Sequence, residues 1–285
     1  MKLCRFRSRF NPWPAVGLLA EDAVQDLTGA GVTRLTSVLE LPNLPDRLRQ
    51  WSSLPLRRLA LSEVDLLPPV ERQEVWAAGV TYLRSKKARM EESDFSATAY
   101  DRVYEAPRPE IFFKSAGEKV VGPGEPVGIR SDARWSVPEP ELALVINSRG
   151  ELAGYTVGND MSSRDIEGEN LLYLPQAKVY RASCALGPCI TVGASEAAAR
   201  DWTITLRIER GGETVFQGET RVSQIKRSFS ELIEWLWRSQ EFPQGAILLT
   251  GTGVVPPNEF TLAGGDAVRI VISGIGELSN PVAVV

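Results

Sequence analysis

From Val75 onward the chain alternates short strand-like runs with clusters of glycine and proline. Runs at Glu74–Gly79, Ile111–Lys114, Glu141–Ile146, Leu152–Asn159, Thr203–Glu209, Ile247–Thr250 and Val268–Ile272 are rich in residues that pack on a pleated surface. Helical spacing of apolar residues is confined here to about Val80–Met90 and to Ser228–Ser239, where Ser228 or Ser230 can cap the first turn. Upstream, Phe6–Phe10 and Ala15–Ala20 predict two short strands. Leu35–Ser52 predicts a short helical pattern with Leu39, Leu48 and Trp51 toward a core. Pro68-Pro69 then punctuates the chain. The pattern predicts a β-rich α+β protein, with a small N-terminal domain over residues 1–68 and a larger domain over residues 69–285. Residues 91–109 are polar and rich in Asp, Glu and Ser, and a loop this long in a compact domain reads as a lid over a site.

Composition narrows the function classes. Hydrophobic residues make up 43% and charged residues 24% of the chain, as in a soluble globular protein. A net charge of -4 and a pI near 5.3 provide no basic footprint for nucleic acid. The cysteines, Cys4, Cys184 and Cys189, form no CxxC pair, so neither a disulfide framework nor a zinc site is expected, and a cytoplasmic location fits. No window offers about 18 apolar residues, so no membrane span is predicted. The opening MKLCRFRSRFNPWPAVGLLA is broken by Asn11, Pro12 and Pro14 and makes no signal segment.

The chain contains no histidine. Histidine is the side chain that ordinarily titrates near neutrality. Acid–base chemistry must therefore come from Glu, Asp, Lys or Tyr, or from water on a metal. Glu139 and Glu141 stand two apart at the head of a predicted strand, where alternation puts them on one face about 6.5–7 Å apart. Two carboxylates on one face can converge on one cation, although this spacing also occurs at solvated strand ends. Asp160 follows another strand, and Lys178 comes later. All-oxygen ligands suit Mg, Mn or Ca rather than zinc.

The joint pattern is more specific. Glu139-Pro140-Glu141, then GYTVGNDMSSRD (154–165), Lys178, GAILLTGTG (245–253), GGD (264–266) and GIGELSNP (274–281) resemble, in order, the fumarylacetoacetate hydrolase superfamily. The resemblance implies a mixed β-roll catalytic domain, an Mg2+ or Mn2+ site, and a substrate that is a 2-oxo acid or 1,3-dicarbonyl. Glu139, Glu141 and Asp160 would be the metal ligands. Lys178 would face the substrate, and Thr252, with Gly251 in the glycine-rich turn, would hold its carboxylate. Asp94 is a further candidate ligand. Relatives of this kind imply a homodimer or homotetramer.

The chain departs from the hydrolases of that superfamily. They carry a histidine that activates water, and the corresponding stretch here is GVTYLRSKKAR (79–89), with Ser85 near that place. This stretch, PEIFFKS (109–115) and SRDIEGENLLYLPQAKVYRASCALGP (163–188) resemble 2-keto-3-deoxy-D-arabinonate dehydratases. That resemblance implies loss of water from a 2-keto-3-deoxy sugar acid, giving 2,5-dioxopentanoate. Glu110 and Lys178 would share the acid and base roles, with Arg84 and Ser85 as substrate contacts. The alternatives are an acylpyruvate hydrolase, a 2-oxo-acid decarboxylase acting on oxaloacetate, or a non-catalytic relative.

Overall fold

The structure, a computed structural model, describes residues 1–83 and 103–285. Its strands are β1 (Lys2–Ser8), β2 (Asn11–Leu19), β3 (Ala23–Asp26), β4 (Arg58–Ala60), β5 (Val64–Leu67) and β6 (Glu74–Gly79). They continue as β7 (Glu110–Ser115), β8 (Val127–Ile129), β9 (Ser136–Val137), β10 (Pro140–Ile146), β11 (Leu152–Asp160) and β12 (Ser162–Ser163). The last are β13 (Cys184–Thr191), β14 (Thr203–Arg210), β15 (Glu213–Arg221), β16 (Ala246–Thr252), β17 (Ala267–Ile272) and β18 (Gly276–Val284). Among the described residues they form an 11-stranded sheet in the order β4-β3-β2-β1-β13-β11-β10-β16-β6-β7, with β5 also on β1. A 5-stranded sheet runs β15-β14-β17-β18-β8, and β12 pairs with β9. Both large sheets are mixed, since β16 runs parallel to β6 and β18 parallel to β8. The β-rich, helix-poor prediction is met.

β10 is buried along its whole length, because both its faces carry core. Leu142, Leu144 and Ile146 join a cluster with Ile204, Leu206 and Ile270 of the smaller sheet and Phe229, Leu232 and Leu236 of the helix Phe229–Trp237. Ala143 and Val145 point the other way, into a cluster with Leu3, Val16, Leu35 and Leu48. Residues 1–68, expected as a small N-terminal domain, meet residues 69–285 in this shared cluster and in the β1–β13 pairing of Lys2 with Thr191 and Leu3 with Ile190.

Helix boundaries follow local chemistry. Ser228 caps Phe229–Trp237 by accepting from the Glu231 N–H at 3.1 Å. The helical pattern over Leu35–Ser52 divides into Leu35–Leu39 and Leu44–Ser52, with Pro42 and Pro45 at the break. Of the helix expected over Val80–Met90, residues 84–90 lie outside the described residues, as do residues 91–102 of the expected lid. The end of that segment is pinned: Lys226 Nζ donates to Tyr104 O and Glu105 Oε2, each at 2.8 Å, and Arg227 donates to Ala106 O and Pro107 O.

Glu71, just ahead of β6, caps the Leu35–Leu39 helix. It accepts from the Leu35 N–H at 3.1 Å, the Thr36 N–H at 2.9 Å and the Thr36 hydroxyl at 2.5 Å. Burial opposes its charge, but these hydrogen bonds and nearby Arg5 outweigh burial and hold the carboxyl below its usual range. A depressed folded pKa adds stability above the unfolded pKa of about 4.3 and loses it as pH falls through the folded value. Glu71→Gln should therefore cost about 1–2 kcal/mol at neutral pH and progressively less toward about pH 3. Urea unfolding of both proteins at the two pH values checks this; an equal gap at both would contradict it.

Candidate metal centre and active site

The candidate site lies at one end of the large sheet, where β6, β11 and β16 finish and β7 and β10 begin. Glu139 immediately precedes β10 and Glu141 is its second residue; Asp160 ends β11. The pairing of Pro140 with Asn159 places Asp160 beside Glu139, and the Asp160 N–H donates to Glu139 O at 3.0 Å. Carboxylate oxygens of Glu139, Glu141 and Asp160 lie within 4.8 Å of one another, and all three residues are buried.

Positive charge surrounds them. Lys178, at the end of the helix Leu174–Lys178, is buried. Its Nζ donates to Glu139 Oε2 at 2.7 Å, Asp160 Oδ2 at 3.1 Å and Ser162 Oγ at 2.6 Å. Arg164 Nη2 donates to Glu139 Oε1 at 2.8 Å. Lys114 Nζ stands 2.5 Å from Asp160 Oδ1. Three carboxylates therefore face two ammonium groups and one guanidinium. Glu141 is bonded differently: its Oε2 accepts the Gly251 N–H at 2.6 Å. Burial, then repulsion from Asp160 and Glu139, pushes the Glu141 carboxyl well above the usual range, against the pull of Lys178 and the Gly251 N–H.

The glycine-rich turn is needed for that contact. Gly251 has φ +90, and a side chain there would run into the Thr81 hydroxyl, which itself donates to Thr250 O at 2.6 Å. Thr252 pairs with Glu141 across β16 and β10. Its hydroxyl is engaged with the main chain of Val254, donating to the carbonyl at 3.1 Å. A small pocket, with room of about 10 Å³, opens here, bordered by Glu139, Glu141, Asp160, Lys178, Gly251 and Thr252 on the polar side, with Val80 and Phe112 on the apolar side.

The fold thus brings together Glu139, Glu141, Asp160, Lys178, Gly251 and Thr252. Glu110 is the first residue of β7 and pairs with Gly79. It does not border the cavity, but its carboxylate covers Gly79, which does: a Cβ on Gly79 would stand 2.0 Å from Glu110 Oε2. Arg84, Ser85 and Asp94 lie outside the described residues. Asp165 accepts from the Arg134 N–H at 2.7 Å and serves the loop rather than the cavity. Sequence reasoning missed Lys114, Ser162 and Arg164 as members of the charge cluster. Lys114 directly follows the apolar run Ile111-Phe112-Phe113, which by itself does not say where its side chain points.

Three buried oxygen donors within reach of one another form a set that fits a hard divalent cation. Likeness to known proteins agrees with this geometry. The family described as fumarylacetoacetate (FAA) hydrolase C-terminal matches residues 74–283. The probable 2-keto-3-deoxyxylonate dehydratase of Haloferax volcanii is 49% identical over 217 residues, covering 76% of this chain and 74% of that protein. The 2-dehydro-3-deoxy-D-arabinonate dehydratase of Saccharolobus solfataricus is 40% identical over 230 residues, covering 80% of this chain and 77% of that protein. A solved structure of 2-keto-3-deoxy-D-arabinonate dehydratase, complexed with magnesium and 2,5-dioxopentanoate, superposes with a TM-score of 0.84 at 33% identity, covering 100% of this chain and 99% of that one. The chain belongs to the fumarylacetoacetate hydrolase family.

Proposed function

We propose that this chain is a metal-dependent hydro-lyase that converts 2-keto-3-deoxy-D-arabinonate to 2,5-dioxopentanoate and water. The observation that carries the reading is agreement on one reaction between the sequence relatives and the full-length structural match. The xylonate and arabinonate names are compatible. Dehydration to the 2-keto-3-deoxy acid removes the stereocentres at carbons 2 and 3, so D-xylo and D-arabino precursors give the same compound. The lack of histidine supports the reading, because elimination needs an acid and a base but no attacking water.

Glu139, Glu141 and Asp160 would hold Mg2+ or Mn2+. When bound, the ion supplies a Lewis acid that polarises the keto group of a chelating 2-oxo acid and acidifies its carbon-3 protons. Lys178 and Glu110 would share the proton transfers. One takes a proton from carbon 3, and the other protonates the carbon-4 hydroxyl, which leaves as water. A proton then moves from carbon 5 to carbon 3, and the enol becomes the terminal aldehyde. For Thr252 to hold the substrate carboxylate, its hydroxyl must exchange Val254 O for the substrate. Arg84 and Ser85 remain proposed contacts from the neighbouring segment. The apolar side of the cavity, Val80 and Phe112, would exclude water from these steps.

A role in pentose catabolism follows from the substrate. A cytoplasmic location fits three buried, unbridged cysteines, and no helix among the described residues is long and apolar enough to cross a membrane. A homodimer or homotetramer is the assembly we propose.

One assay panel tests the function: 2-keto-3-deoxy-D-arabinonate, oxaloacetate and an acylpyruvate, each with Mg2+, with products followed by mass. Dehydration of the sugar acid is expected. Rapid cleavage of the acylpyruvate without dehydration of the sugar acid would overturn the reading. Glu141→Gln should weaken Mg2+ binding by roughly 10-fold or more, since it removes one ligand charge; full activity of that variant after chelation with EDTA would remove Glu141 from the ligand set. Lys178→Met should lower kcat by roughly 100-fold or more, on the scale of a general acid–base group. Unchanged kcat would exclude Lys178 from proton transfer. In heavy water the wild-type protein with Mg2+ should exchange deuterium into carbon 3 of 2-oxobutyrate, which has no hydroxyl to lose. Loss of exchange in either Lys178→Met or Glu110→Gln identifies the base; no exchange by the wild type would contradict deprotonation as the first step.

A further inference from the structure

Lys114 lies in β7 at a break in register. Phe113 pairs with Trp76 and Ser115 with Val75, so Lys114 is the extra residue between successive partners. A bulge of this kind re-aims the side chain it carries. Here the side chain turns inward and is 0% exposed. An ammonium group has three protons to donate. Two main-chain carbonyls accept from it, Met161 O at 2.9 Å and Lys178 O at 2.5 Å, and Asp160 Oδ1 is ion-paired with it at 2.5 Å.

A buried ammonium is expensive, and an apolar residue at such a position is often no less stable. These three contacts give this one a purpose. Asp160 ends β11 and Met161 follows it, and the Lys178 carbonyl closes the helix that carries the proposed acid–base lysine. The two Asp160 oxygens are divided between two lysines, Oδ1 toward Lys114 and Oδ2 toward Lys178. Lys114 thus joins the end of the metal-holding strand to the end of the Lys178 helix from a third element, β7.

The geometry points to Lys114 as a positioning residue: it sets the Lys178 ammonium beside the metal-holding carboxylates, and its charge competes with the cation for Asp160. This inference rests on the assignment of Lys178 and the carboxylate triad made under the proposed function. Two consequences separate it from a purely structural role. Removing the charge should favour the divalent ion, because a cation 2.5 Å from one of its ligands is gone. The same change should slow turnover, because a misplaced catalytic group costs rate even when binding is intact.

The test compares wild type, Lys114→Met and Lys114→Arg by Mn2+ titration calorimetry, by kcat and KM on the 2-keto-3-deoxy acid, and by melting without metal. Lys114→Met should bind Mn2+ roughly three- to tenfold more tightly, with KM changed by less than about threefold and kcat reduced by roughly 30-fold or more. Lys114→Arg keeps the charge on a different donor geometry. It should return Mn2+ affinity to within about twofold of wild type while leaving kcat depressed by roughly 10-fold. Full kcat in Lys114→Arg would reduce the role to charge alone and overturn the inference. Wild-type kcat in Lys114→Met, or loss of Mn2+ affinity in parallel with kcat, would also overturn it. If Lys114→Met does not fold, the arginine variant decides between these outcomes. Wild-type protein that turns over no 2-oxo acid would count against the proposed function, while the Mn2+ comparison still decides on Lys114.

Discussion

Three carboxylates held within 4.8 Å of one another beneath the protein surface cannot all stay ionised unless positive charge is brought to them. Much of this chain's architecture around the cavity meets that constraint. Lys114, Lys178 and Arg164 formally balance Glu139, Glu141 and Asp160, each through contacts of about hydrogen-bond length. Glu141 has the weakest share of that compensation, the Gly251 N–H and the more distant pull of Lys178, and its carboxyl is driven toward the neutral form. A divalent ion at the triad would leave the cluster with a net positive charge. That suits a monoanionic 2-oxo acid and the further negative charge that builds when its carbon 3 loses a proton.

The sheet makes the arrangement possible. Antiparallel pairing of β10 with β11 puts Glu139 next to Asp160, and the neighbouring β16 brings the Gly251 N–H to Glu141. Because both faces of β10 are buried in core, the strand that carries Glu141 and follows directly on Glu139 is held on each side. Preorganised charge of this kind needs no rearrangement when the substrate arrives.

Much of the fold was legible because its central strands are apolar and bounded by turns. β6 runs from Glu74 to Gly79 as the pattern predicts, and Ser228 caps its helix. β13 was missed because Gly187-Pro188 reads as a turn, whereas the structure absorbs it in a register shift against β11 between Tyr155 and Val157. β15 was missed because it is an exposed edge strand with no apolar face to betray it. At the site, Glu139, Glu141, Asp160 and Lys178 could be picked out by residue type and order. Lys114 and Arg164 could not, since their partners are distant in sequence and a bulge in β7 decides where Lys114 points. Glu110 and Thr252 show the limit of position alone: one covers Gly79 rather than bordering the cavity, and the other turns its hydroxyl onto Val254.

The central claim is that the buried carboxylates form a divalent-cation site with Lys178 beside it. Anomalous diffraction from crystals grown with Mn2+ tests this most directly. The account predicts one strong peak with Glu139, Glu141 and Asp160 oxygens at roughly 2.0–2.3 Å. An ion bound elsewhere, or no peak while Lys178 stays on Glu139 and Asp160, would contradict it.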